Sequence, residues 1–183
     1  MFKFCPECAS KNIGFFDGKM FRCPDCGFLY YHNTAAATGC IITVADKRLL
    51  FLVRGKDPAK GKLDLPGGFI DPGEGALEGL YREIKEEIGW IPPVPEGTPL
   101  TEVFTLFASF PNVYPYKNID YNTCDLYFSL YAPDLREQDL RLRHGEIDGV
   151  CFLKPEEIEY NEIAFESTRR AVRAYLDSSL FIP

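Results

Sequence analysis

The chain has 183 residues, which is enough for one medium-sized domain and a small accessory domain. Its formal charge is −7 at pH 7, from 20 Lys and Arg against 27 Asp and Glu, and this balance argues against general nucleic-acid binding. Hydrophobic residues make up 46% of the chain, as in ordinary globular proteins, and no apolar run approaches the roughly 18 residues of a membrane-spanning helix.

The first segment contains two C-x-x-C pairs with fourteen residues, 9–22, between them. The four cysteines are Cys5, Cys8, Cys23 and Cys26. Four thiolates near this spacing are typical of a closed tetrahedral Zn²⁺ site with a structural role. Two disulfides or a redox pair are the alternatives, but the chain shows no secretory signal and has three further cysteines. We therefore predict a zinc ribbon over residues 1–34 and a cytoplasmic protein, because so small a segment needs a metal to fold and thiolates need a reducing compartment.

The charge of this segment makes nucleic acid an unlikely partner. Its four basic and three acidic residues leave a net charge of 4 − 3 = +1. A surface that binds phosphate backbones carries a larger and more clustered positive charge.

The rest of the chain, residues 35–183, predicts one mixed α/β domain. A hairpin at Asp46-Lys47 joins its first two strands. The predicted strands are 35–45, 48–54, 100–110, 121–132 and 149–153, and the predicted helical segments are 75–88, 155–158 and 163–176.

The first of these helices carries an unusual cluster of acids. Its apolar residues repeat at helical spacing and form one stripe. Glu83, Glu86 and Glu87 fall within an arc of about 100° beside that stripe, where like charges would repel each other. Hard oxygen ligands clustered in this way suit Mg²⁺ or Mn²⁺, although a solvated acidic helix face is the alternative.

Residues 68–90 resemble the Nudix box, the signature of the Nudix hydrolase family. The matching positions are Gly68, Glu74, Arg82, Glu83, Glu86, Glu87 and Gly89. Trp90 takes the last position, where the family usually has an aliphatic residue. The resemblance implies a Nudix α/β/α sandwich with a mixed β-sheet. It also implies a metal-dependent hydrolase that cleaves the pyrophosphate bond of a nucleoside diphosphate linked to another moiety.

Roles for individual residues follow from the same resemblance. The metal ligands would be Glu83, Glu86, Glu87 and the backbone carbonyl of Gly67. Glu74 precedes the helix and can reach the same space, and Arg82 could orient a carboxylate from the side. Outside the box, Glu146 is a candidate late ligand or general base, with a turn-solvating acid as the alternative.

The candidate substrate-binding residues are Arg54, Tyr114, Tyr116 and Phe165. Arg54 offers positive charge near the box. Tyr114 and Tyr116 are flanked by prolines and are predicted to lie in a loop that meets the ligand, where aromatic rings stack on bases. Packing in the core is the alternative for the aromatic residues, and Phe165 could also serve to anchor the last helix.

A ribbon placed before a Nudix domain resembles the NADH pyrophosphatase branch of the family. The resemblance implies a homodimer acting on a small-molecule nucleotide such as an NADH-like or ADP-ribose-like substrate. The chain departs from that branch at residues 109–116, where SFPNVYPY replaces an SQPWPFP-type motif. The other functional hypotheses are an RNA-end pyrophosphohydrolase that removes a nucleotide cap and a non-catalytic nucleotide-binding regulator.

Overall fold

The computed structural model describes residues 2–181, and the chain divides into two compact units at the boundary between Thr34 and Ala35. The first unit has a three-stranded antiparallel sheet in the order β1-β2-β3. Its strands are β1 Gly14–Phe16, β2 Met20–Arg22 and β3 Leu29–Tyr31. Of residues 2–34, three apolar side chains are buried, and these are Cys5, Phe21 and Cys23. A core this small leaves the unit dependent on whatever holds its cysteines together.

The second unit is built on a six-stranded mixed sheet. Its strands are β4 Ala35–Thr43, β5 Leu49–Arg54, β6 Leu63–Asp64, β7 Thr105–Tyr116, β8 Ile119–Tyr131 and β9 Ile147–Leu153. The order is β6-β5-β4-β8-β7, with β9 paired to β5. The β4–β8 pair is parallel and the other pairs are antiparallel.

Two helices cover opposite faces of this sheet. They are α1, Ala76–Ile88, and α2, Glu166–Leu176. Alternate residues of β5 point to opposite faces, and Leu50 packs in the same cluster as α1, whereas Phe51 packs in the cluster of α2. The α/β/α sandwich with a mixed sheet that the sequence predicts is therefore confirmed.

The prediction of a strand over residues 100–110 is wrong at both ends. Leu100–Glu102 forms a 3₁₀ turn, and β7 continues through Pro111 and Pro115 to Tyr116. β7 is the last strand in the sheet order, so one of its edges has no partner strand among the described residues. A proline is tolerated on such an edge because its missing N–H is not required for a ladder.

The last helix begins later than predicted. Ile163 is fully buried and forms a parallel bridge with Leu63, so the chain is extended there and α2 starts at Glu166. Phe165 stands at the N-cap with extended backbone angles. Among the described residues, no helix has the length and apolar character needed to cross a membrane.

Candidate active site

A cavity of about 320 Å³ lies in the second unit, between the end of the sheet, α1 and the start of α2. It brings together most of the site residues that the sequence predicts. Those that line it are Arg54, Gly67, Glu83, Glu86, Glu87, Tyr114, Glu146 and Phe165. Glu74, Arg82 and Tyr116 are not part of its lining.

The glycine pair of the box lets the backbone approach the acids of α1. Gly67 has a φ of +146°, and a Cβ there would collide with the carbonyl of Thr38. A Cβ on Gly68 would lie 2.7 Å from the carboxyl carbon of Glu83. The N–H of Gly67 donates to Oε2 of Glu87 over 2.9 Å. A larger residue at Gly67 would therefore push the loop away from β4, and a larger residue at Gly68 would push it away from Glu83 of α1.

The carboxylates at this point hold unfavourable negative charge. Burial raises the pKa of Glu87 well above its usual range, and the charges of Glu83, Asp64 and Glu146 raise it further. The hydrogen bond from the Gly67 N–H lowers this pKa and only partly offsets the rise. Burial also raises the pKa of Glu83, while Arg82 opposes that shift. A partly buried cluster of oxygen donors with this excess of negative charge fits a hard divalent cation.

Arginines pair with two of the α1 acids, and Arg82 lies within ion-pair distance of both Glu83 and Glu86. Of residues 2–181, the only group with three or more ligand atoms all within 4.8 Å of one another is the cysteine group of the first unit. Glu83 pairs with Arg82 at 2.7 Å, and Glu86 pairs with Arg143 at 2.9 Å. Coordination of one ion by Glu83, Glu86 and Glu87 therefore requires these side chains to change rotamer.

Arg82 and Glu74 position Glu83 from outside the cavity. The guanidinium donates to both carboxylate oxygens of Glu74, at 2.7 and 2.9 Å, and to the carbonyl of Phe69 at 3.0 Å. Glu74 also accepts the N–H of Asp71 at 3.0 Å. The Arg82 hydrogen bonds lower the pKa of Glu74 to about 2. This network fixes the turn before α1 to the helix itself.

Glu146 lies at the basic edge of the cavity. Lys56 pairs with it at 2.7 Å and Arg143 at 3.5 Å. Lys56 and Arg143 also line the cavity, and Arg143 in addition pairs with the box acid Glu86. Arg143 was not singled out from the sequence, because only the fold brings the loop before β9 next to α1.

Arg54 lines the cavity beside Asp64 and Phe165. Its guanidinium pairs with Asp64 at 2.8 Å and lies 4.9 Å from the ring centre of Phe165. The rings of Phe165 and Tyr114 have centroids 5.5 Å apart. Asp64 was missed by the sequence reasoning, although an acid inside the apolar run Leu63–Leu65 was a usable signal. Burial raises the pKa of Asp64 and Arg54 opposes that shift.

The prediction that Tyr114 and Tyr116 lie in a loop is wrong, because both belong to β7. Tyr114 points into the cavity. Tyr116 lies at the end of the strand, is 46% exposed and stacks under Lys117. The two tyrosines therefore differ in their access to a ligand in this cavity.

The four cysteines of the first unit meet the geometry of a zinc centre. Their sulfurs all lie within 4.8 Å of one another, with Cys5 to Cys26 at 3.6 Å and Cys8 to Cys23 at 3.8 Å. A tetrahedral ion with Zn–S bonds of about 2.3 Å places its sulfurs about 3.8 Å apart. All four thiols are free, so the disulfide alternative is not formed.

Comparisons with known proteins match one family to most of the second unit. The family model described as NUDIX domain matches residues 33–175. The chain is 46% identical over 66 residues to an ADP-ribose pyrophosphatase from Methanocaldococcus jannaschii, covering 36% of this chain and 38% of that protein. It is 34% identical over 87 residues to a NAD-capped RNA hydrolase NudC from Chromobacterium violaceum, covering 48% of this chain and 32% of that protein. The chain thus matches only about a third of the length of these relatives.

Solved structures support the fold. A NUDIX hydrolase from Nitrosomonas europaea superposes with a TM-score of 0.64 at 23% identity, covering 98% of this chain and 93% of that one. The NUDIX domain of Shewanella oneidensis NrtR, complexed with ADP ribose, superposes with a TM-score of 0.60 at 15% identity, covering 79% and 88%. At these identities the likeness concerns the fold alone.

Proposed function

This chain belongs to the Nudix family, and on that premise we propose that it hydrolyses the pyrophosphate bond of a nucleoside diphosphate linked to another moiety. The observation that carries the proposal is one cavity that collects three box glutamates, three cations and an aromatic cluster. ADP-ribose-like and NADH-like molecules are the proposed substrates, in keeping with the relative named ADP-ribose pyrophosphatase.

In this proposal the residues divide the work by charge. Glu83, Glu86 and Glu87, with the carbonyl of Gly67, would hold Mg²⁺ or Mn²⁺. Bound there, a divalent ion supplies neutralisation of phosphate charge and a lowered pKa for a coordinated water.

The remaining lining residues handle the substrate and the proton. Lys56 and Arg143 attract the phosphate oxygens, because both are cations that line the cavity beside Glu146. Glu146, which faces both of them, accepts the proton of the attacking water. Tyr114 and Phe165 offer aromatic surface to a base.

The first unit completes the proposal. We assign residues 1–34 to a zinc ribbon and residues 35–183 to the hydrolase domain. Zn²⁺ held by the four cysteines has a structural role, because all four ligand positions come from the protein. We also propose a cytoplasmic homodimer, since free thiols favour a reducing compartment and the ribbon-bearing arrangement resembles a dimeric branch.

A turnover screen tests this function. The purified protein is incubated with Mg²⁺ and then Mn²⁺ and with ADP-ribose, NADH, NAD, FAD, diadenosine polyphosphates, nucleotide sugars and nucleoside triphosphates. We expect metal-dependent release of a mononucleotide from one of the diphosphate-linked compounds. No turnover of any compound, with metal binding demonstrated, would overturn the proposal.

Removal of an NAD cap from RNA is the second candidate, because four matching relatives are named NAD-capped RNA hydrolase NudC. The screen therefore includes a short RNA with a 5′ NAD cap beside free NAD. A higher kcat/KM for the capped RNA would favour the second candidate, and a higher value for free NAD would favour the first.

A further inference from the structure

Three polar side chains of the β7–β8 hairpin line the cavity and have no part in the Nudix box. They are Asn112, Thr123 and Asp125, here called the polar floor. Asn112 and Thr123 are direct cross-strand partners, and Asp125 lies two residues further along β8. Residues two apart on a strand point to the same face, so the three side chains share one face of the sheet.

The polar floor has unused hydrogen-bonding capacity. Thr123 is 3% exposed, and its hydroxyl is the one buried side-chain polar atom in residues 2–181 without a hydrogen-bond partner. Leaving such a group unpaired in the interior is energetically unfavourable. Asp125 is also buried, and none of the ion pairs among the described residues includes it. A ligand with a matching donor and acceptor would satisfy both groups.

A second layer of hydrogen bonds fixes the Asp125 carboxylate. Ser167, fully buried at the start of α2, donates to its Oδ2 over 2.7 Å. Tyr127 in turn donates to Ser167 over 3.0 Å. Burial raises the pKa of Tyr127, so its hydroxyl stays a donor. The other oxygen of Asp125 is therefore held in place as an acceptor.

Aromatic rings stand beside the polar floor. Phe69, Tyr114 and Phe165, here called the aromatic wall, all line the same cavity. Tyr114 lies 5.5 Å from Phe69 and 5.5 Å from Phe165, measured between ring centroids. The β4 residue in register with Asp125 is the small Ala37, which leaves space over the sheet at this point. A flat ligand fits such a surface better than a branched one.

We propose that the polar floor is a specificity site that reads the edge of a planar ring on which an amino group lies next to an acceptor. The amino group donates to Asp125, and the acceptor receives a hydrogen bond from the unpaired hydroxyl of Thr123. This inference rests on the proposed function, since it names the part of the nucleotide that selects the substrate. Adenine presents such an edge, and so does the carboxamide of nicotinamide.

The first test compares ligands that differ in one group at this edge. Binding of ADP-ribose and of its hypoxanthine counterpart is measured by calorimetry without added divalent cation. The hypoxanthine oxygen would face the Asp125 carboxylate, so we expect about tenfold to hundredfold weaker binding by the wild-type protein. Nicotinamide mononucleotide and nicotinic acid mononucleotide form the second pair, which tests the carboxamide edge.

The matched variant is Asp125→Asn, which keeps the acceptor for Ser167 and adds an amide donor. We expect it to shrink the discrimination within the responsive pair to less than about threefold. Asp120→Asn is the control, because Asp120 is an exposed acid of the same strand outside the cavity. The pair that responds identifies the ring as adenine or nicotinamide. Equal wild-type affinity within both pairs, or discrimination that Asp125→Asn leaves unchanged, would overturn the inference.

Thr123→Val provides an independent readout. The substitution keeps the shape of the side chain and removes the unpaired hydroxyl. We expect an equal or higher free energy of unfolding together with about threefold to tenfold weaker binding of the preferred ligand. Loss of stability with unchanged binding would mean that the hydroxyl serves the fold, and would contradict the inference.

Hydrolysis of the same ligands separates the two claims. Turnover without discrimination at the ring edge would keep the proposed function and overturn the specificity site. Discriminating binding without turnover under any metal would keep the site and overturn the function. Absence of both binding and turnover would overturn both.

Discussion

At the scale of single residues, Glu87 shows most clearly how the site trades stability for function. The carboxylate is close to three other acids and has one recorded hydrogen bond, from the Gly67 N–H. Its pKa is raised by burial, so folding makes it harder to ionise. Such an unfavourable arrangement is expected where a cation binds.

Glu87→Gln should therefore make the apo fold more stable at neutral pH. When folding raises the pKa of an acid, the folded state loses stability as the pH rises from the pKa of the unfolded chain, near 4.5, toward the pKa of the folded protein. Chemical denaturation at pH 4 and pH 8 checks this. The gain of the variant over the wild type should be larger at pH 8, and a loss of stability at pH 8 would contradict the account.

Glu74 shows the opposite shift, since its pKa falls to about 2 through the hydrogen bonds of Arg82. Its contribution to stability is present above pH 4.5 and is lost as the pH falls toward 2. The difference in melting temperature between the wild type and Glu74→Gln should therefore be largest near neutral pH. It should shrink toward zero as the pH falls from 4.5 to 2. Glu96→Gln, at an exposed loop position, serves as the control. A constant difference across the window would exclude this role for the ion pair.

At the scale of elements, local sequence patterns predict α1 correctly but do not predict the β7–β8 hairpin. The apolar stripe of α1 repeats within one helix, so its buried face and its acid face could both be predicted from spacing. The end of β7 is hard to predict from the sequence, because Pro111 and Pro115 favour a turn. Only the sheet order shows that β7 is an edge strand, which tolerates prolines. The polar floor depends on the register of β7 with β8, which no single motif encodes.

The ribbon makes a prediction that concerns one element. Cys23 is fully buried, so Cys23→Ser should lose the zinc and unfold the first unit while the hydrolase domain keeps its secondary structure and most of its turnover. Zinc content by mass spectrometry and turnover of the best substrate are measured together. Cys124→Ser is the control, because Cys124 is an exposed cysteine of β8. Full zinc content in Cys23→Ser would disprove the assignment of that ligand.

At the scale of the whole molecule, the proposed metal would link catalysis to stability. A ligand that binds only the folded state stabilises it by about 2.7 kcal/mol at a concentration one hundred times its Kd. The raised pKa of Glu87 means that protons compete with the metal at higher pH than they would at an ordinary glutamate.

The increase in melting temperature on adding Mn²⁺ should therefore grow between pH 6 and pH 8. Glu87→Gln should show a smaller increase at both pH values, because it lacks one ligand. A shift that is the same at pH 6 and pH 8 would contradict the coupling of Glu87 ionisation to metal binding. Differential scanning fluorimetry at fixed Mn²⁺ concentration provides the measurement.

Short sequence motifs predict the two-part organisation of the chain and two of its residue clusters. The C-x-x-C pairs and the box lie within continuous segments, so the cysteine cluster and the acids of α1 could be found without the fold. Three charged residues reach the same cavity from distant parts of the chain. Asp64 comes from β6, Asp125 comes from β8, and Arg143 comes from the loop before β9. Their roles depend on contacts between distant parts of the sequence, and the sequence pattern alone could not rank them above other charged residues.

The most direct test of the central claim is product analysis with ADP-ribose and Mg²⁺. We expect AMP and ribose 5-phosphate in equal amounts from the wild-type protein. Glu87→Gln should be slower by on the order of a thousandfold, since it loses a metal ligand, while Glu78→Gln on the same helix, exposed and outside the cavity, stays active. Wild-type rates in a folded Glu87→Gln protein would contradict the assignment of this cavity as the active site.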